Sequence, residues 1–477
     1  MKLDFLDNNR EYLKRLLTIA VPIILSNIIA QLQMIIDRIF LGHANDLYMS
    51  ALGNVTSPVW TTMSFCNSLV VGASILISQS VGAKKTDEIG EYAGAMIKYN
   101  NILPVILCLF WLIFPEPVFR LMGVSEGVMP FCLSYVRWYS VIFLLIGLGG
   151  SLSVILQTSN YTKPLVAYGI IRSGLNIFFD WVLIYGKFGF PALGIQGAAI
   201  GTVIAEYLGG VYIMVVFFKS NMLTTRPTWK DVKKSKFISY LRSAKLGVNV
   251  ALEDFAWNFG NLMLIRILNA INEMAAGIYT IIFSVEVLAV VVVGSIGNGT
   301  MTLTSEATGK KDLKQYRGVA RYAYGICLLV TLAMIILGIT IPEQILALFT
   351  SDESIITTCG IYLLIIGINL IFKSGNIIIG NTIRGSGNTR WMFYTQIFGT
   401  IWVVSVASLL VFVFKLGILG VFLAVMADEA VRALINLWKY SRIVKNWDIE
   451  YGDGDRGQGN VPIHEKCPHP RSPSPIN

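Results

Sequence analysis

Asn176 and Asp180 stand four residues apart in an apolar stretch, so a helix through them presents an amide and a carboxyl on one face. Asp37 and Thr202 lie in two other apolar stretches. Two carboxylates, an amide oxygen and a hydroxyl are hard oxygen donors, and together they could coordinate Na⁺ or hold a proton. An ionisable group inside an apolar span costs about 2.5–3.5 kcal/mol on insertion scales, so a retained one faces a cavity or a partner. Asp37 and Asp180 both fall toward the same ends of their stretches, which lets them share a depth. Interfacial capping and interhelical hydrogen bonding would use the same residue types, and spacing alone leaves both readings open.

A second polar set occupies the later half of the chain: Glu253, Asp254, Glu286 and Lys373. Four charges at membrane depth suggest a lined cavity. An ion pair of Lys373 with Glu253 or Asp254 would act as a fixed strut, or as a switch that a proton or cationic substrate breaks. Trp257, Trp60, Phe65 and Phe255 could offer aromatic faces to a cation, although aromatic side chains in apolar helices more often pack or face lipid. Glu206 and Glu429 occupy matching places 223 residues apart. That equivalence favours a structural role, with Arg172 or Arg432 as partner.

The elements that carry these residues are long apolar runs. A membrane helix needs about 20 mostly apolar residues, and twelve such runs occur, near 16–41, 50–79, 93–114, 130–157, 163–186, 193–218, 246–269, 275–303, 319–341, 357–383, 391–414 and 418–438. Their length excludes barrel strands, which would be about 10 residues of alternating polarity. Composition agrees: 54% of residues are hydrophobic and 14% charged, with a mean hydropathy of +0.63, against about 25% charged residues in soluble domains. The expected fold is an all-α integral membrane protein of about twelve transmembrane helices in two pseudo-symmetric six-helix bundles. Residues 1–225 form the first lobe. Residues 226–445 form the second, beginning with a cytoplasmic linker over 226–245. Residues 446–477, rich in Gly, Pro, Asp and Ser, read as a disordered tail.

The net charge of +9 does not indicate nucleic acid, because the basic residues sit between apolar runs. With twelve spans, both termini share a side with Lys2, Arg10, Lys14, Arg15, the lysine-rich linker, Lys310, Lys311, Arg384 and Lys439, whereas the opposite loops carry Arg120, Lys187 and Lys415. The positive-inside rule places both termini in the cytoplasm of a cell (inner) membrane protein, and one span more or fewer would scramble this bias. The six cysteines show no CxxC pair and imply neither disulfides nor metal. No cofactor is expected beyond Na⁺ or H⁺ as coupling ion. The first apolar run is too long for a signal h-region.

The halves repeat. Ser78-Gln79-Ser80-Val81-Gly82 after the second span matches Ser305-Glu306-Ala307-Thr308-Gly309 after the eighth, 227 residues on. Thr158 to Lys163 matches Gly385 to Arg390 at the same offset, and Leu193 to Gly197 matches Leu416 to Gly420 at 223. An even number of spans separates each pair, so the repeats are parallel and related by an axis along the membrane normal. Two such bundles leave a cleft about which they can rock.

These stretches resemble the multidrug and toxic compound extrusion (MATE) family. The resemblance covers roughly residues 10 to 440. It lies in Val21-Pro22 with Asp37 downstream; Gly72-Ala73-Ser74-Ile75-Leu76-Ile77-Ser78-Gln79 to Gly82; Asn176-Ile177-Phe178-Phe179-Asp180; Gly194-Ile195-Gln196-Gly197-Ala198-Ala199-Ile200-Gly201-Thr202; and Ile383-Arg384-Gly385-Ser386-Gly387-Asn388-Thr389-Arg390. It implies a monomeric secondary exporter that moves organic cations or amphipathic drugs against Na⁺ or H⁺ by alternating access. It implies that Asp37, Asn176, Asp180 and Thr202 match the cation-coupling residues, and that Glu253 matches an acidic position some members use. Lys373 stands where some members carry an acid, which disfavours a Na⁺ site in the second lobe. The competing reading is a flippase for a lipid-linked precursor, a function better suited to a more basic cavity. Enzyme motifs such as HExxH and a nucleotide-binding P-loop are missing from the sequence.

Overall fold

The computed structural model describes residues 2–271, 274–347 and 353–450. Among these residues every regular element is a helix. The twelve long ones are α1 (Lys2–Ala44), α2 (Asp46–Gly82), α3 (Thr86–Ile113, relaxed at Asn100), α4 (Met129–Thr158, with a 3₁₀ turn at Ser140–Ile142), α5 (Lys163–Tyr185) and α6 (Ile195–Lys219) in the first bundle. The second holds α7 (Phe237–Asn269), α8 (Ala275–Lys310), α9 (Leu313–Thr340), α10 (Glu353–Gly385), α11 (Thr389–Ser408) and α12 (Gly417–Lys445). Ten of these helices are long and apolar enough to cross a membrane by length and composition. The other two, α7 and α12, are 33 and 29 residues long and are interrupted by charges, including Glu253 and Asp254 in one and Asp428, Glu429 and Arg432 in the other.

Each bundle closes its own apolar core. Trp111, Phe119 and Phe143 are fully buried in the first, and Leu268, Ile282 and Phe422 in the second. The outer faces are apolar as well. Leu25, Leu32, Ile35 and Ile39 of α1 and Leu329, Leu332, Ile336 and Ile339 of α9 are exposed, as helices that face hydrocarbon require. Helix α1 runs unbroken through Pro22.

The bundles meet at their basic ends. Leu16, Ile19 and Ala20 of α1 pack with Val293, Ile296 and Leu303 of α8. Arg15 bonds Glu306 at 2.5 Å, and Lys310 closes on the same carboxylate. The repeat-matched glycines make the closest approach. A Cβ on Gly82 would lie 2.0 Å from the Glu306 carbonyl oxygen, and one on Gly309 would lie 1.9 Å from that of Gln79. Each glycine presses on the residue three before the other, which is the reciprocity an axis between parallel repeats demands. The matched segments 78–82 and 305–309 form the last turns of α2 and α8 rather than following them, because both helices run past their apolar cores to reach this contact.

The tail departs from expectation at its start. Trp447–Glu450 is a helical turn, and Trp447 is buried against Tyr316 with ring centroids 4.7 Å apart. Burial of an indole secures a segment whose polar composition alone suggests disorder. Residues 451–477 lie outside the described residues.

Candidate functional site: a buried carboxyl pair beside a central cavity

Asp37, Asn176, Asp180 and Thr202 come together from α1, α5 and α6. Asn176 and Asp180 are fully buried. The Asn176 amide donates to Thr202 Oγ1 at 3.0 Å and to Asp180 Oδ1 at 3.3 Å. The carboxyls of Asp37 and Asp180 lie within hydrogen-bond reach of each other. Both are acceptors when ionised, so their contact calls for a shared proton or a bridging cation. Asp37 Oδ1, Asp180 Oδ2 and Asn176 Oδ1 are buried, and no donor among the described residues reaches them. Buried oxygens without partners are rare in folded proteins. Three in one cluster form a set of hard oxygen donors left free for a cation or proton.

Other side chains hold this cluster. Gln33, one turn before Asp37, donates to Asp37 Oδ2 at 3.4 Å and accepts from Ser173 at 2.9 Å. Gly201 leaves the room Asp180 needs, since a Cβ there would lie 2.4 Å from Asp180 Oδ1. Tyr135 and Tyr139 of α4 stack at 5.4 Å alongside. Sequence reasoning missed Gln33, Ser173 and the tyrosines. Gln33 and Ser173 were findable as polar neighbours one helical turn from a named residue, whereas the tyrosines come from a helix remote in sequence.

One turn toward the basic end, Arg172 bonds Glu206 at 2.8 Å and Tyr168 Oη donates to Glu206 at 2.5 Å. These three line a cavity of about 610 Å³ inside the first bundle, walled also by Asn27, Trp60 and Asn67, to which α8 of the second bundle contributes Asn298 and Met301. At the basic end Gln157 closes it, donating to Thr302 Oγ1 at 2.7 Å and to the Asn298 carbonyl at 3.3 Å. Along α2 and α7 the bundles touch from Gly72–Ser243 to Ser64–Asp254. Beyond that contact Trp60 and Trp257 are 57% and 39% exposed. The gap therefore faces the less basic end.

The second bundle holds a different polar set. Lys373 donates to Glu286 at 2.7 Å and lies 3.9 Å from Glu429. Arg432 bonds Glu429 at 3.0 Å and Asp428 at 2.8 Å. Asn369 adds a bond to Glu286, and Asn376 one to Glu429. Trp257, Glu286 and Lys373 line one narrow recess with Tyr279 and Phe283. The expected pairing of Lys373 with Glu253 or Asp254 is not formed. Glu253 bonds Arg384 at 2.5 Å, and Asp254 accepts from Ser68 and Ser64 of α2 at 2.8 and 3.2 Å. Arg384 ends α10 at the basic side, and Lys373 sits about three turns deeper. Glu253 thus meets the nearer cation, and Lys373 meets carboxylates of α8 and α12. The structural pairs expected for Glu206 and Glu429, with Arg172 and Arg432, are both formed. Phe65 is partly buried, and Phe255 is exposed.

Comparison with known proteins follows the same lines. A family model described as MatE matches residues 22–182 and 248–422, more than half of the chain. A probable multidrug resistance protein NorM of Thermotoga maritima is 28% identical over 439 residues, covering 90% of this chain and 92% of that protein. A probable multidrug resistance protein YoeA of Bacillus subtilis is 27% identical, covering 90% and 93%. The fold superposes on an outward-facing multidrug resistance MATE family transporter of the MOP superfamily, with a TM-score of 0.83 and 20% identity over 91% of this chain and 96% of that one. A MOP superfamily transporter of Pyrococcus furiosus, for which reversed polarity of the binding pocket suggests a different function, gives 0.81 at 19% identity over 92% and 97%. The paired helical bundles and the family match converge: this chain is a multi-pass membrane protein that belongs to the MATE family of transporters, not an enzyme.

Proposed function

We propose that this protein is a secondary active multidrug exporter that moves amphipathic or cationic organic compounds across the cell membrane against Na⁺ or H⁺. The observation that carries this reading is the carboxyl pair of Asp37 and Asp180, whose unpartnered oxygens are buried together with that of Asn176 one helical turn from the cavity of the first bundle. A cation or proton there neutralises the pair, and its release makes the buried charge unfavourable. The first lobe, residues 1–225 with the linker helix Trp229–Lys234 docked on its α3, and the second, the bundle that follows up to residue 445, rock about the cavity, with both termini in the cytoplasm. The names of the relatives support a drug substrate. The cavity of about 610 Å³ is within the range of about 300–1,000 Å³ typical of small-molecule sites. Its Arg172 is already paired with Glu206, so the cavity lacks the basic surplus that an anionic lipid-linked precursor would want.

The test is efflux of a fluorescent organic cation from proteoliposomes under separately imposed Na⁺ and pH gradients. One gradient is expected to drive efflux, and Asp37→Asn and Asp180→Asn should each reduce it at least about tenfold while still inserting. Wild-type efflux by both variants would remove the carboxyl pair from the mechanism. Transport without dependence on either gradient would overturn the exporter reading.

A further inference from the structure

Outside the central cavity, the basic end carries a second crevice of about 500 Å³. Ile97 of α3, Leu148 and Leu152 of α4, and Met214 and Phe217 of α6 make its apolar walls. The linker roofs it, with Arg226 and Trp229 at the rim. Trp229 is 70% exposed and Phe218 71%, a placement typical of aromatic rings at a membrane interface.

The linker that roofs the crevice is strongly basic. Between 219 and 236 the chain carries Lys219, Arg226, Lys230, Lys233, Lys234 and Lys236 against the single acid Asp231. These lysines and Arg226 are exposed. Asp231 is engaged in a capping box with Thr228, bonding its hydroxyl at 2.6 Å and its amide at 2.8 Å. The roof is held in place. Arg226 Nη1 donates to the carbonyls of Phe217, Phe218 and Ser220 at the end of α6. Lys98 Nζ reaches the carbonyls of Lys233 and Ser235. An apolar slot with Arg226 at its rim, beneath a linker whose exposed lysines flank it, at the depth where helices leave the membrane, matches one class of molecule in both its parts.

We propose that this crevice binds an anionic phospholipid of the adjoining leaflet, with an acyl chain between α3, α4 and α6 and the phosphate at Arg226 and the linker lysines. The charge argues against an amphipathic cation, which this rim would repel. Leu148, Leu152 and Met214 also line the central cavity. A seated chain therefore packs against the outside of the cavity wall.

The test uses the full chain purified in a non-ionic detergent and examined by native mass spectrometry. It is titrated with phosphatidylglycerol, with phosphatidylcholine bearing the same chains, and with glycerol phosphate. Phosphatidylglycerol is expected to bind roughly tenfold to thirtyfold more tightly than phosphatidylcholine, from the attraction of two or more basic groups. Glycerol phosphate, lacking the chains, is expected not to bind. Lys230→Gln with Lys233→Gln, both on the exposed face of the linker, should erase the preference for the anionic lipid. Val232→Trp, which fills the slot from its roof, should weaken both lipids. Equal affinity for the two lipids, a preference that survives the lysine changes, tight binding of glycerol phosphate, or binding indifferent to Val232→Trp would each overturn the proposal.

Discussion

At the scale of single residues, two buried carboxyl sites are compensated differently, Asp37 with Asp180 in the first bundle and Glu286 in the second. The first leaves carboxyl oxygens of Asp37 and Asp180 without donors. The second surrounds Glu286 with Lys373 and Asn369. Lys373 thus gives Glu286 the directly bonded cation that the Asp37–Asp180 pair lacks. Lys373→Met would strand Glu286, and removal of one partner from a buried pair costs about 3–5 kcal/mol. The purified variant should melt at lower temperature, followed by intrinsic fluorescence, and Glu286→Gln in the same chain should restore most of the loss. Additive losses in the double variant would show that the pair is not coupled. Gly201 offers a second prediction at this scale. Gly201→Ala places a methyl 2.4 Å from Asp180 Oδ1, and overpacking of this kind costs about 1–3 kcal/mol. Ion-driven efflux should fall at least as far as stability does, measured in the same proteoliposomes.

At the scale of elements, the proposed alternating access rests on helices that touch at one end and part at the other. Helices α2 and α8 meet through Gly82 and Gly309, where backbone lies against backbone. Gly82→Ala is expected to pry the basic end open. A cysteine at Asn298, which lines the cavity, should then react at least about fivefold faster with an impermeant maleimide applied at that end. Unchanged labelling would mean that this approach does not seal the cavity. The Gln157–Thr302 contact allows the converse experiment. With cysteines at both positions, a short bifunctional thiol reagent should hold the end shut and abolish turnover, while either single cysteine should leave it intact.

At the scale of the whole molecule, the gap faces the less basic end, which is the exterior on the proposal that both termini are cytoplasmic. A cysteine in place of the exposed, cavity-lining Asn67 should therefore be labelled by an impermeant maleimide in right-side-out vesicles and protected in inverted ones. The opposite pattern would reverse the orientation or the resting state. The central linker belongs to this scale too. It joins the lobes, and its helix Trp229–Lys234 is docked on α3, where Gly90 and Gly94 press against Asp231. Any rocking of the lobes has to carry this anchor with the first.

The sequence by itself determined that the chain is helical, spans a membrane about twelve times and contains a parallel repeat. Those properties follow from local quantities: run length, charge between runs, and offsets of 227 and 223 that any reader can count. It also named Asp37, Asn176, Asp180 and Thr202, because polar groups stand out in apolar helices. Tertiary structure alone decided who meets whom. Helical spacing can place Asn176 beside Asp180, but the depth and rotation of α1 against α5 put Asp37 there, and neither is written in any one segment. The same reason misdirected the pairing of Lys373. Its choice between Glu253 and Glu286 rests on about three turns of depth along α10, a distance set by how six helices pack rather than by the residues that carry the charge.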